Sequence, residues 1–203
     1  MTDPELEESA DGRTARRDRN RDAVLDAVLE LFAEDSLTPG PAEVADRSGV
    51  SLRSVYRYFE DMDALVRAAI ARHLVRMAPL FELDHPGEGP VEERIEAIVT
   101  ARLRLYEAAA PMARASVARA QSNRIIRERL EETRKVLQRQ VEDMFAPELA
   151  ARPKAERAQV AASLDVLLEL EALEHLRRYR ALPEPAVQEI LVRAVRALLG
   201  VSA

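Results

Sequence analysis

The stretch Gly49–Phe59 reads GVSLRSVYRYF and packs two arginines and two tyrosines into about two helical turns. Ser51 is a natural N-cap. Gly49 is the residue type that most readily ends a helix in the left-handed conformation. Upstream, Pro41 suits a first helical position and opens a short helix, AEVADRS. A short helix, a turn around Gly49 and a second short helix therefore follow in order, which is the spacing of a helix-turn-helix. Projected at about 100° per residue, Leu52, Val55, Tyr56 and Phe59 fall on the side that must face a core, with Tyr56 at its border. Arg53, Ser54, Arg57 and Tyr58 fall on the other. Arg53 and Arg57 are four apart, so they project together. Eight helical residues span about 12 Å, close to the width of the DNA major groove. Forked guanidinium donors suit guanine edges, and flanking hydroxyls suit phosphate. An ordinary amphipathic helix with exposed arginines has the same pattern, so the face points toward DNA without deciding it.

Composition sets the frame around this helix. The chain has 203 residues, 47% hydrophobic and 33% charged, with 4% aromatic and no cysteine or tryptophan. Alanine, leucine, arginine and glutamate dominate, which favours an all-α fold over strands. Without cysteine there is neither a disulfide nor a thiolate metal site. No apolar run is long enough to span a bilayer, and the acidic start does not resemble a signal peptide, so a cytoplasmic chain with no membrane partner is expected. The net charge of −6 excludes coating of nucleic acid by charge alone; any contact must be a local patch.

The start of the chain is segregated by charge. Residues 1–12 carry five acids and no base, and residues 13–21 carry five arginines, Arg16 and Arg17 among them, against Asp18 alone. Residues 1–20 read as a flexible acidic and basic arm, either a solvated lead-in to a helix or a segment that meets phosphate. RDAVLDAVLELFAED then shows a helical stripe at Val24, Leu25, Val28, Leu31 and Phe32, ended by SLTPGP.

The combination of RDAVLDAVLELF, VADRSGVS and SVYRYFEDMDAL, in that order, resembles the DNA-binding domain of the TetR family of transcriptional regulators. The resemblance covers Arg21–Leu65, roughly the first third of the chain. It implies a three-helix DNA-reading domain, a helical ligand-binding and dimerisation domain, and repression relieved by a small molecule. Carried over by position, Arg53, Ser54, Tyr56, Arg57 and Tyr58 are the expected recognition-helix contacts; Ser51, and Arg16 and Arg17 of the arm, are expected DNA contacts beside them. Two positions depart from the family pattern. Pro39, Gly40 and Pro41 stand where a Thr or Ser reaches phosphate, and Met62 stands where Lys is usual.

Beyond this domain, DMDALVRAAIARHLVRM reads as a linking helix capped by Asp61. The reader domain with its linking helix is assigned to residues 21–77 and a helical effector-binding and dimerisation domain to 78–203. Three to five further helices are expected, in the segments VEERIEAIVTARLRLYEAA, QSNRIIRERLEETRKVLQRQVEDMF, the long KAERAQVAASLDVLLELEALEHLRRYR, and AVQEILVRAVRALLG. The apolar face of the last, from Val187 to Leu198, is too wide for one partner helix, which suggests burial against a second subunit. Arg102, Tyr106, Thr133, Gln140 and His175 interrupt apolar stripes and are the candidate effector anchors. The alternative is that each is structural, with Arg102 paired to an acid such as Glu169 or Glu171. His73, His85 and His175 lack metal spacing, and there is no phosphate loop or nucleophile elbow, so neither catalysis, metal nor cofactor is expected. The sequence thus points to a homodimeric, ligand-responsive regulator of double-stranded DNA. A helical dimer serving as a protein-interaction module, with weak or lost DNA binding, is the alternative.

Overall fold

A computed structural model describes residues 4–201, with side chains from Thr14 onward. Ten α-helices and no strand occur among the described residues.

Helix α1 (Pro4–Ala33) starts well before the stripe that announces it. The backbone of residues 4–20, expected as a flexible arm, is helical: no proline follows Pro4 before Ala33, and the one glycine, Gly12, costs only about 1 kcal/mol. Helix α2 (Pro41–Ser48) begins on its proline and ends at Gly49, whose φ of 66° is left-handed. Helix α3 (Leu52–Tyr58) is capped by Ser51, whose hydroxyl accepts the Ser54 N–H at 3.3 Å. Helix α4 (Met62–Met77) is capped by Asp61, which accepts the Ala64 N–H at 2.6 Å. Val24, Val28, Leu31 and Phe32 of α1, Val44 of α2, Val55 of α3, Phe59, and Leu65, Val66 and Ala69 of α4 form one core. Met112, Ala115 and Ile126 of the following helices complete it. Ion pairs brace its rim: Arg47 of α2 with Glu34 at 2.7 Å, and Arg72 and Arg76 of α4 with Asp26 at 3.4 and 3.1 Å.

The remaining helices are α5 (Val91–Ala120), α6 (Arg124–Met144), α7 (Ala146–Ala150), α8 (Lys154–Leu168), α9 (Leu170–Glu174) and α10 (Glu184–Leu199). They enclose a second core around Ile95, Ile98, Leu103, Phe145, Leu164, Leu168, Val187, Leu191 and Val195. Two boundaries differ from the sequence reading. Helix α5 runs past Pro111, because Tyr106, Ala110, Met112 and Ala115 are buried on both sides of it. That burial outweighs a cost of about 3 kcal/mol for an internal proline. The long leucine-rich helix is broken at Glu169 (φ −75°, ψ 157°), so that Leu168 and Leu173 both reach the core, and it closes in a wide π-turn at His175–Tyr179. No helix of the described residues is long and apolar enough to cross a membrane.

Phe32 is fully buried where α1 meets the rest of the reader core. Phe32→Ala should lower stability by about 3–5 kcal/mol, read as a lower midpoint in urea unfolding.

Candidate nucleic-acid interface and effector cavity

The turn geometry holds α3 by one edge. Val55 and Phe59 are buried, whereas Arg53, Tyr56 and Arg57 face solvent and Ser54 is half-buried. Two expectations are corrected. Leu52 and Tyr56, read toward the core, are 42% and 51% exposed, because seven residues offer only one buried strip to so small a domain. Tyr58, read outward, is half-buried against the reader core. Arg57 donates to the Ser54 hydroxyl at 3.3 Å and to the Tyr58 hydroxyl at 3.2 Å. The Arg57 bond, with a smaller contribution from Asn20 of α1, holds the Tyr58 hydroxyl below its usual range. Ser51 donates to Ser54 at 3.1 Å. Arg53 makes no hydrogen bond or ion pair among the described residues and is free to reach a ligand. On α1, Arg16 and Arg17 are exposed, Arg17 is close enough to Tyr58 to act on its hydroxyl, and Arg21 lies 5.2 Å over the Phe59 ring. The basic stretch of α1 thus flanks α3, a local positive patch on an acidic chain.

Between the reader and the second core lie two adjoining apolar cavities. One, about 70 Å³, is lined by Ile70, His73, Leu74 and Met77 of α4 and by residues of α5 and α6. The other, about 390 Å³, shares Ala113, Leu130, Thr133 and Leu170 with it. Its polar wall holds Arg114, Arg134, Glu169, Glu171 and Glu174.

Of the expected anchors, Thr133 lines both cavities, although its hydroxyl bonds back to the Arg129 carbonyl at 3.0 Å. Tyr106 donates to Glu174 at 2.8 Å, and burial followed by that carboxylate pushes its pKa up. Arg102 and Gln140 come together elsewhere. Arg102, 3% exposed, donates to Gln140 Oε1 at 2.7 Å and to the Leu137 carbonyl at 2.9 Å. Burial pushes its pKa down to about 10, opposed by Asp165, the acid nearest in effect, rather than by Glu169 or Glu171. Gln140 in turn donates to the Phe81 carbonyl, just past α4. The pair fastens the end of the linking helix and lines neither cavity. His175 is exposed and lines neither, because the π-turn rotates it outward. His73, Arg114 and Glu174 were missed. His73 lies in α4 with its Nε2 buried and unbonded, and burial lowers its pKa. No local signal marks residues whose role depends on which helices meet.

Residues 24–69 match the family model of the bacterial regulatory proteins of the tetR family. Over these residues the chain is similar to the tetR family. The HTH-type transcriptional repressor LfrR of Mycolicibacterium smegmatis is 33% identical over 106 residues, 52% of this chain and 52% of that one. The chain thus matches about half the length of that curated relative. A tetR-family transcriptional regulator from Streptomyces coelicolor superposes with a TM-score of 0.66 and 24% identity, over 89% of this chain and 83% of the other. A TetR transcriptional regulator from Rhodococcus sp. RHA1 does so with a TM-score of 0.51 and 22% identity, over 94% and 99%. At these identities the two structures establish a shared fold.

The departures from the tetR-family pattern have local explanations. At the start of α2 no hydroxyl stands at the cap, and Glu43 closes the helix end by accepting the Gly40 N–H at 3.3 Å and the Ser36 hydroxyl at 3.2 Å. Met62 packs half-buried against the reader core. Of the acids beside it, Asp61 is spent on its helix cap, and Asp63 holds Arg119 of α5 at 3.2 Å. Neither acid is a bare charge facing the α3 surface. The turn itself rests on Gly49. A Cβ there meets no atom within 4 Å, so the cost of a side chain is backbone strain alone. Gly49→Ala should lower thermal stability by about 1 kcal/mol without a packing change, measured by calorimetry with urea unfolding as a check.

Proposed function

We propose that this chain is a ligand-responsive transcriptional regulator, a cytoplasmic repressor that binds palindromic double-stranded DNA as a homodimer. The exposed face of α3 carries the reading: Arg53 is uncommitted, Arg57 is held outward by Ser54 and Tyr58, and hydroxyls flank both. Set into a major groove, the arginines read base edges, while Ser51, Ser54, Tyr56, Tyr58 and the α1 arginines hold backbone phosphate. In a dimer the two α3 helices must lie about 34–36 Å apart, or at a longer spacing matched to the operator. The smaller cavity touches α4 and adjoins the larger, so an occupant that favours one position of α4 changes that distance. It does so only through a difference in affinity between the two states. The second reading, a protein-interaction module with weak DNA binding, rests on apolar Met62 where a lysine is usual. A mobility shift with the DNA flanking the gene separates the two. Arg53→Ala and Arg57→Ala should each cost about 1–3 kcal/mol in specific binding and relax preference at one base pair per half-site. If both variants bind like the parent, the α3 assignment is wrong.

The dimer contact is assigned to α8 and α10, which form a four-helix bundle across a two-fold axis. Val187, Leu191 and Val195 of α10 are consumed by the chain's own core, whereas Ile190 and Ala194 are half-exposed and Val166 of α8 is 67% exposed. Ile190→Glu places a charge in that contact and should give monomers in sedimentation, with helix content kept. The same change at Leu191 is uninformative because it strikes the core. A dimeric Ile190→Glu protein moves the interface elsewhere.

A further inference from the structure

Asp35 follows the end of α1 with a φ of 63°. Its N–H donates to the Phe32 carbonyl at 3.1 Å and the Ser36 N–H to Leu31 at 2.9 Å, the bond pair that closes a helix around a left-handed residue. Glycine is the usual occupant, and α2 and α10 end on Gly49 and Gly200 with φ of 66° and 68°. Aspartate tolerates this conformation better than most residues but is strained there all the same.

The carboxylate so placed reaches two elements of the second domain. Its Oδ1 accepts from Arg114 Nε at 3.1 Å and from Arg178 Nη1 at 3.0 Å, and its Oδ2 accepts from Arg178 Nη2 at 3.0 Å. Arg114 lies on α5 and Arg178 in the π-turn. Glu174 backs the pair, 3.3 Å from Arg114 Nη1 and 3.6 Å from Arg178 Nε. The two-pronged bond from Arg178, followed by Arg114, holds the Asp35 carboxyl below its ordinary range. Arg114 and Glu174 also line the larger cavity, and so does Leu37, two residues beyond Asp35. The α1–α2 loop of the reader is thus part of the cavity wall.

We propose that Asp35 is an ion-pair latch that fastens the reader domain to the second domain at the rim of the effector cavity, and that an occupant displacing Arg114 or Glu174 releases it. This gives the cavity a route to the reader beside the linking helix. Its consequence for DNA rests on the regulator reading above, but the latch itself does not. Asp35 and Arg178 are both partly exposed, so the contact is sensitive to salt and readily reversible, as a switch requires.

The chain has no cysteine, so paired nitroxides can be placed at Asp46→Cys on α2 and Arg104→Cys on α5, both exposed. The labelled full chain is diluted into unlabelled chain, so that only the distance within one chain is read by pulsed electron resonance. Asp35→Asn keeps the shape and removes the charge. Asp35→Gly removes the charge and relaxes the helix end, so a loss shared by both is not a broken cap. The parent should give a narrow distribution at low salt that widens as salt rises from about 0.05 to about 0.5 M. Both variants should be wide at low salt already. Unchanged distributions in both variants overturn the latch, and so does widening in Asp35→Asn alone. No DNA is present, so failure of the latch and failure of the DNA reading are separate results.

Discussion

Helices α1–α4 do not close their own core. Its four short packing surfaces leave an opening that Met112 and Ala115 of α5 and Ile126 of α6 fill. A domain of roughly sixty residues buries too small a share of its surface to be comfortable alone, so this loan of apolar side chains positions everything else. It fixes α5 and α6 beside α4, and the same two helices wall the cavities. Where the reader sits and what shape the cavity has are therefore not independent.

Helix α4 carries this dependence along its length. Leu65, Val66 and Ala69 belong to the reader core, while His73, Leu74 and Met77 face the smaller cavity. Past its end, the Phe81 carbonyl is held by Gln140, which is held by Arg102. Burying a guanidinium is costly unless its donors are satisfied, and Arg102 Nε has no partner. A buried polar tether of this kind fixes one geometry where apolar packing alone would tolerate several. Arg94 does the same at the other end of the domain, donating to the Met144 carbonyl at 2.5 Å and to Glu148 at 2.9 Å.

The surface that meets solvent at α3 follows from economy of burial. Seven residues present one strip, Val55 with Phe59 after it, and the reader core accepts no more. Leu52 and Tyr56 remain outside for that reason. Within this face Arg57 is held by its neighbours Ser54 and Tyr58 on the same helix.

Local chemistry made the reader legible in the sequence. Pro41, Gly49, Ser51 and Asp61 each specify a helix end through their own backbone or side chain, and all four stand where such residues belong. The all-α class and the linking helix at 62–77 follow from composition and spacing in the same way. What only the tertiary structure decided lies where packing overrides local preference. Helix α5 passes through Pro111, and α8 breaks at Glu169 with neither proline nor glycine to mark it. The polar residues that interrupt apolar stripes look alike in sequence, yet Thr133 lines the cavities, Arg102 and Gln140 form a tether, and His175 faces solvent. Their roles depend on residues tens of positions away, and only the assembled helices bring those together.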